Sequence, residues 1–128
     1  MVKPPQVYGL ILCEQMTVDM ALARMSLDGL FLVLRLSHFP SPPVKFTAYA
    51  AFFDGRGEGE MRLTCTHLET EADIYYHKRW LAFSEPGRTV HYEVPVRQLV
   101  FPRPGRYALT LSFDRTVLTV RYLDVLRT

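Results

Sequence analysis

The sequence predicts an all-β fold, an antiparallel sandwich built as a single domain over residues 1–128. Two observations carry that prediction. Turn signals recur along the chain: Pro40-Ser41-Pro42-Pro43, Asp54-Gly55-Arg56-Gly57, residues 69–73, Glu85-Pro86-Gly87, Pro102-Arg103-Pro104-Gly105 and Asp114-Arg115. Between them lie runs rich in Val, Thr, Tyr and Phe, many alternating with period two, which is how half-buried strands read. The length suits one core: at 48% hydrophobic and 22% charged, 128 residues bury enough apolar surface without staples. About seven to nine strands fit.

Residues 7–14 form an aliphatic first strand, and residues 27–37 a second that is apolar on both faces. In that second run Leu30, Leu32, Leu34 and Leu36 share one side by the period-two rule, with Phe31, Val33 and Arg35 on the other. Only one side can face the core, so one apolar row needs another cover. Between these strands, residues 15–25 combine helical spacing of Met16, Met20 and Ala23 with no convincing cap, and read as a wide connection with at most one helical turn. Residues 44–53, 60–68 and 74–83 supply the middle strands. Val90, Tyr92, Val94 and Val96 alternate with His91, Glu93, Pro95 and Arg97; a proline cannot donate to a ladder, so this strand lies at an edge or is bulged. Tyr107, Leu109, Leu111 and Phe113 line one face of the next strand. In the last, Leu118, Val120 and Tyr122 are expected inside, opposite Thr119 and Arg121. Asp114-Arg115 joins these two as a short hairpin.

The net charge of +2 is too mild to announce a nucleic-acid partner. The first 74 residues hold 6 basic and 9 acidic groups, the rest 9 basic and 4 acidic. Cys13 and Cys65 sit in apolar runs with no CxxC or Cys/His cluster, and read as buried, reduced thiols. The apolar run at residues 7–13 has no small-residue cleavage site after it, and residues 20–36 are interrupted by Arg24, Asp28 and Arg35, so neither a signal peptide nor a membrane span is expected. A cytoplasmic location follows.

Several landmarks are shared with one family. They are the strand ending in Cys13-Glu14, then Ser26-Leu27-Asp28-Gly29-Leu30-Phe31 and Phe39-Pro40, and near the end Phe101-Pro102-Arg103-Pro104-Gly105-Arg106-Tyr107 before a final hairpin. Over its first forty and last thirty residues the chain resembles a bacterial domain-of-unknown-function family of short, cytosolic β-sandwich proteins. Residues 54–83 depart from that pattern. The resemblance implies a fold and a bacterial host, and no mechanism.

The residues point the same way on their own. Gly105-x-Tyr107-x-Leu109 stands where immunoglobulin-like domains place a turn glycine and a corner tyrosine on the penultimate strand. There the phenol bonds back to nearby backbone while its ring packs inward, so Gly105 and Tyr107 are assigned structural roles and the sandwich is expected to be immunoglobulin-like.

No catalytic constellation emerges. His38, His67, His77 and His91 lack ligand spacing and read as surface or half-buried imidazoles, so no metal and no cofactor is expected. No serine has a G-x-S-x-G context, and the Gly-rich segment 54–59 precedes no helix and reads as a mobile hairpin tip. These absences point away from an enzyme. The run Ile74-Tyr75-Tyr76-His77-Lys78-Arg79-Trp80 is richer: Tyr75, His77 and Arg79 share one face, Tyr76, Lys78 and Trp80 the other, an aromatic and cationic mix enriched in recognition surfaces. The candidate interaction residues are therefore Tyr75, Tyr76, His77, Arg79 and Trp80, with Leu30, Leu32 and Leu34. The expected function is a non-catalytic protein–protein interaction or assembly module, its partner a second copy in a homodimer or another protein. A small-ligand or carbohydrate-binding sandwich using the aromatic strip is the alternative.

Overall fold

The computed structural model describes residues 2–84 and 87–128. The turn expected at Glu85-Pro86-Gly87 therefore lies partly outside the described residues. Among the described residues nine strands form: β1 (Gln6–Asp19), β2 (Arg24–Leu30), β3 (Val33–Leu36), β4 (Val44–Phe53), β5 (Gly57–His67), β6 (Asp73–Phe83), β7 (Val90–Leu99), β8 (Gly105–Phe113) and β9 (Thr116–Arg127). Among the described residues there is no helix. One sheet runs β2-β1-β4-β7, the other β3-β9-β8-β5-β6. Neighbours are antiparallel except β3 and β9, which run parallel.

The period-two rows make the core. Leu10, Leu12, Phe46, Ala48, Ala50, Phe52, Tyr92, Val94 and Val96 of the first sheet meet Met61, Leu63, Cys65, Tyr107, Leu109, Leu111 and Phe113 of the second. A row of alternate apolar residues can bury one face per strand, and these bury theirs against each other. β7 is an edge strand with Pro95 paired opposite Thr47, as a proline in a strand requires.

Four expectations need correction. Residues 27–37 are not one strand: β2 ends at Leu30, Phe31 and Leu32 step across, and β3 starts in the other sheet. The Phe31 amide still bonds Leu12 O at 3.1 Å, and its ring meets Phe46 edge-on at 5.5 Å, so Phe31 anchors the crossing in the core. The leucine row is thereby split. Leu34 and Leu36 pack on the core, whereas Leu30 and Leu32 stay exposed. Residues 15–25 are strand rather than connection, closed by a turn at residues 20–23 in which the Leu22 amide donates to Asp19 Oδ1 at 3.1 Å. That short cap, with Ala23 at φ 51°, overrides the helical spacing of the methionines.

In β9 the inward row is Leu123 and Val125, paired with Tyr107 and Gly105, while Val120 and Tyr122 are exposed. A register shift between Leu111 and Ser112 moves the phase of this ladder, so Leu118 still packs on the core and Arg121 faces inward opposite Leu109. Finally, residues 54–59 are not a hairpin tip: 54–56 link β4 to β5 across the two sheets and 57–59 open β5; Lys3 and Arg56 exchange backbone bonds of 2.9 and 3.0 Å there.

Candidate interaction surfaces

The first surface is a consequence of the turn at residues 20–23. β1 and β2 pair from Cys13↔Leu30 to Asp19↔Arg24, but β4 accompanies β1 only as far as Cys13. Beyond that point the hairpin is a two-stranded ribbon with no third strand. At its base Gly29 adopts φ 70°, and the Glu14 side chain fills the space a Cβ would take. No residue from Glu14 to Leu30 is buried, and Val18, Met20, Leu22 and Met25 are exposed, Met20 at 85%. A lone hairpin is marginal in water, and this one presents large apolar side chains to it. The ribbon carries Glu14, Asp19 and Asp28 against Arg24.

The second surface is β6, the outer strand of the five-stranded sheet. Tyr76 and Trp80 face solvent, 61% and 63% exposed, together with Lys78; Arg62 of β5 lies over the Tyr76 ring at 5.8 Å. Tyr75, His77 and Arg79 do not join them, because they project from the opposite face. Tyr75 packs on the core, and burial raises its pKa. His77 Nδ1 lies 3.4 Å from Tyr92 Oη, and burial, reinforced by the Arg79 charge, lowers its pKa. Arg79 stacks 5.1 Å over the Tyr92 ring and its Nη2 donates to Glu93 O at 3.3 Å. These two side chains thus span from β6 to β7 and occupy part of the β7 edge, a position that blunts unwanted strand pairing.

Tyr107 is fully buried and its hydroxyl donates to Arg103 O at 2.6 Å. Its ring packs edge-on against Phe101 and His67, at 5.0 and 4.8 Å. Gly105 takes φ 143°, and a Cβ there would sit 2.8 Å from His67 Nε2. His67 is the correction here: it is buried, not surface or half-buried, because the corner closes over it. Its Nδ1 accepts the Thr70 amide at 3.1 Å, which leaves Nε2–H to face Pro104 O at 3.5 Å.

A third feature went unread in the sequence. β2 covers the edge of β1 only from Cys13 onward, and β3 covers β9 only at residues 124–127. The uncovered halves face each other, and Arg121 bridges them by donating Nη1 to Leu10 O at 3.3 Å. A cleft of about 870 Å³ opens there, lined by Tyr8, Ile11, Leu32, Val33, Val120 and Tyr122 together with Arg121. Nothing in the local sequence marks it, because its walls come from five separate stretches of chain.

Cys13 and Cys65 are both free and buried. Burial raises both thiols, Cys65 to about 12. Among the described residues no group of three or more His, Cys, Asp or Glu side chains is placed to hold a metal ion, and no helix is long and apolar enough to cross a membrane. No family model and no curated protein matches the chain.

Proposed function

We propose that this protein is a non-catalytic assembly module, an immunoglobulin-like sandwich of the cytoplasm that associates with a second copy of itself through the β1–β2 hairpin. The observation that carries the reading is the ribbon beyond Cys13, unaccompanied by a third strand and exposed at Val18, Met20, Leu22 and Met25. Charge selects the partner. The ribbon has three carboxylates against one guanidinium, while β6 offers the cations Lys78, beside exposed Tyr76 and Trp80, and Arg79 on its other face. Symmetric β6–β6 pairing would bring those cations together, whereas reciprocal exchange of ribbons onto β6 joins opposite charges and closes as a two-fold dimer.

The immunoglobulin-like assignment draws on strand order and on the corner. β1-β4-β7 and β6-β5-β8-β9 correspond to A-B-E and C′-C-F-G, and Tyr107 stands on the F-equivalent strand two residues before Leu109, its hydroxyl returned to upstream backbone. The β1–β2 ribbon and the parallel β3 are additions to that plan. The buried free thiols suit a reducing compartment.

Sedimentation equilibrium tests the association. The wild type should exceed 14.8 kDa at high micromolar concentration, and Met20→Glu with Leu22→Glu should return it to 14.8 kDa without loss of fold. A wild-type mass fixed at 14.8 kDa throughout refutes the reading. Lys78→Glu should also dissociate the dimer, and mixing it with Asp28→Lys should restore a heterodimer.

A further inference from the structure

We infer that the cleft between the free halves of β1 and β9 is a binding site for a small aryl carboxylate, whose acid is held by Arg121. The inference is independent of the association proposed above. The cleft, at about 870 Å³, falls within the range of small-molecule sites, and its lining is of the usual kind, mostly apolar with a few directed polar groups. Tyr8, Leu32, Val120 and Tyr122 are all exposed large hydrophobics, and the fold gathers them around this one opening. Tyr8 is held in place by its ring against Phe53 at 4.6 Å, and Tyr122 by Arg106 above it at 5.7 Å. Two tyrosines flanking one cleft favour a flat aromatic body over a branched aliphatic one.

The acid is specified by charge. Arg106, Arg121 and Asp124 are the charged side chains lining the cleft. Arg106 pairs with Asp124 at 2.9 Å, raising its own pKa and lowering that of the carboxyl, so that pair is internally matched. Arg121 has no carboxylate within ion-pair distance among the described residues; Nη1 serves Leu10 O, and Nε is buried with no hydrogen-bond partner. A guanidinium has five donors in a planar fork, and one carbonyl satisfies only part of it. A carboxylate in the cleft would supply the missing charge, and acceptors for the terminal guanidinium donors that the Leu10 carbonyl leaves unmet. A neutral amide of the same shape still offers a carbonyl acceptor but leaves the charge unmet.

The test is a titration of the isotopically labelled full chain with 3-phenylpropionate and, separately, with 3-phenylpropionamide, followed by backbone amide shifts. The acid should produce saturable shifts at Tyr8, Gly9, Leu32, Val33 and Tyr122 and bind at least about tenfold more tightly than the amide, as hydrogen bonds to a charged group imply. In Arg121→Gln that preference should vanish; Arg121→Lys, which keeps the charge, should retain part of it and serves if the glutamine variant fails to fold. Equal binding of acid and amide by the wild type overturns the inference. So does an absence of shifts at the cleft up to about 10 mM acid, or an acid preference that survives in Arg121→Gln.

Discussion

Replacing Tyr107 by Phe removes one oxygen and leaves the ring. In the native corner that oxygen donates a single hydrogen bond, 2.6 Å to Arg103 O, from a side chain with no exposed surface. The ring contacts with Phe101 and His67 need no hydroxyl, so packing is preserved. The cost therefore reduces to the bond and to the carbonyl left behind. Arg103 is an exposed residue, so its carbonyl can turn to water, and the loss should sit near the ordinary value of about 1 kcal/mol and below about 2 kcal/mol. With an unfolding entropy of roughly 2.1 cal/mol/K per residue, 1 kcal/mol lowers Tm by about 4 °C for a chain of this length. Tyr122→Phe is the control, because Tyr122 is exposed and should shift stability by less than about 0.5 kcal/mol. Matched urea melts of both variants decide it. If Tyr107→Phe and Tyr122→Phe have the same midpoint as the wild type, the corner bond contributes nothing and the argument for this turn as a stabilising device is refuted.

The other expected outcomes concern the corner glycine, the split leucine row and the buried thiols. Gly105→Ala should cost more than about 1 kcal/mol, because φ 143° is unfavourable for alanine and its Cβ would press on His67 Nε2; a neutral effect in the same melts would show that the corner relaxes freely. Leu34→Glu should unfold the protein, since Leu34 packs on the core, whereas Leu32→Glu should leave its circular dichroism unchanged; equal behaviour of the two would contradict the crossing at Phe31. A disulfide reagent at pH 8 should find both native thiols slow and both denatured thiols fast. Because Cys65 is raised from 9.0 to about 12, the folded state keeps a proton that the unfolded state releases. That contribution is intact below pH 9.0 and is lost as pH climbs toward 12, at up to about 1.4 kcal/mol per pH unit. Tyr92, raised from 10.0 to about 12, adds to the same alkaline decline. Cys65→Ala should flatten the decline above pH 9.0, and an unchanged slope would count against the thiol as its source.

What the sequence disclosed follows from what period-two patterning can encode. β4 and β8 begin and end where the alternation and its flanking turns put them, and β6 and β7 nearly so, because each has one apolar face and a clear breaker beside it. Patterning fails where a strand leaves one sheet for another. Leu27 to Ser37 looks continuous because Phe31 and Leu32 are as apolar as their neighbours, and only the long-range pairing of Val33 with Asp124 in the other sheet reveals the crossing. The inverted faces of β9 have a similar cause: a bulge is one residue of register, and it leaves no compositional trace. Tyr76 and Trp80 were legible as one face of β6, but that His77 and Arg79 would reach β7 depends on how the two sheets overlie at that edge. The Arg121 cleft was not legible at all, since its definition is the absence of strand partners on two distant segments.

The parallel pairing of β3 with the end of β9 sets an order of events for the chain as it is made. Val33 to Leu36 take as their partners Asp124 to Arg127, and the Thr128 amide bonds Leu36 O, so the third strand must wait until the chain has been made past residue 127. Until those residues leave the ribosome, Leu34 and Leu36 have no ladder to hold them against the core. Such a closure is distant in sequence and correspondingly slow, and the nascent protein carries an unpaired apolar edge until β9 is complete. Removal of residues 124–128 would make that interval permanent, so the far half of β9 is what guards this edge against aggregation.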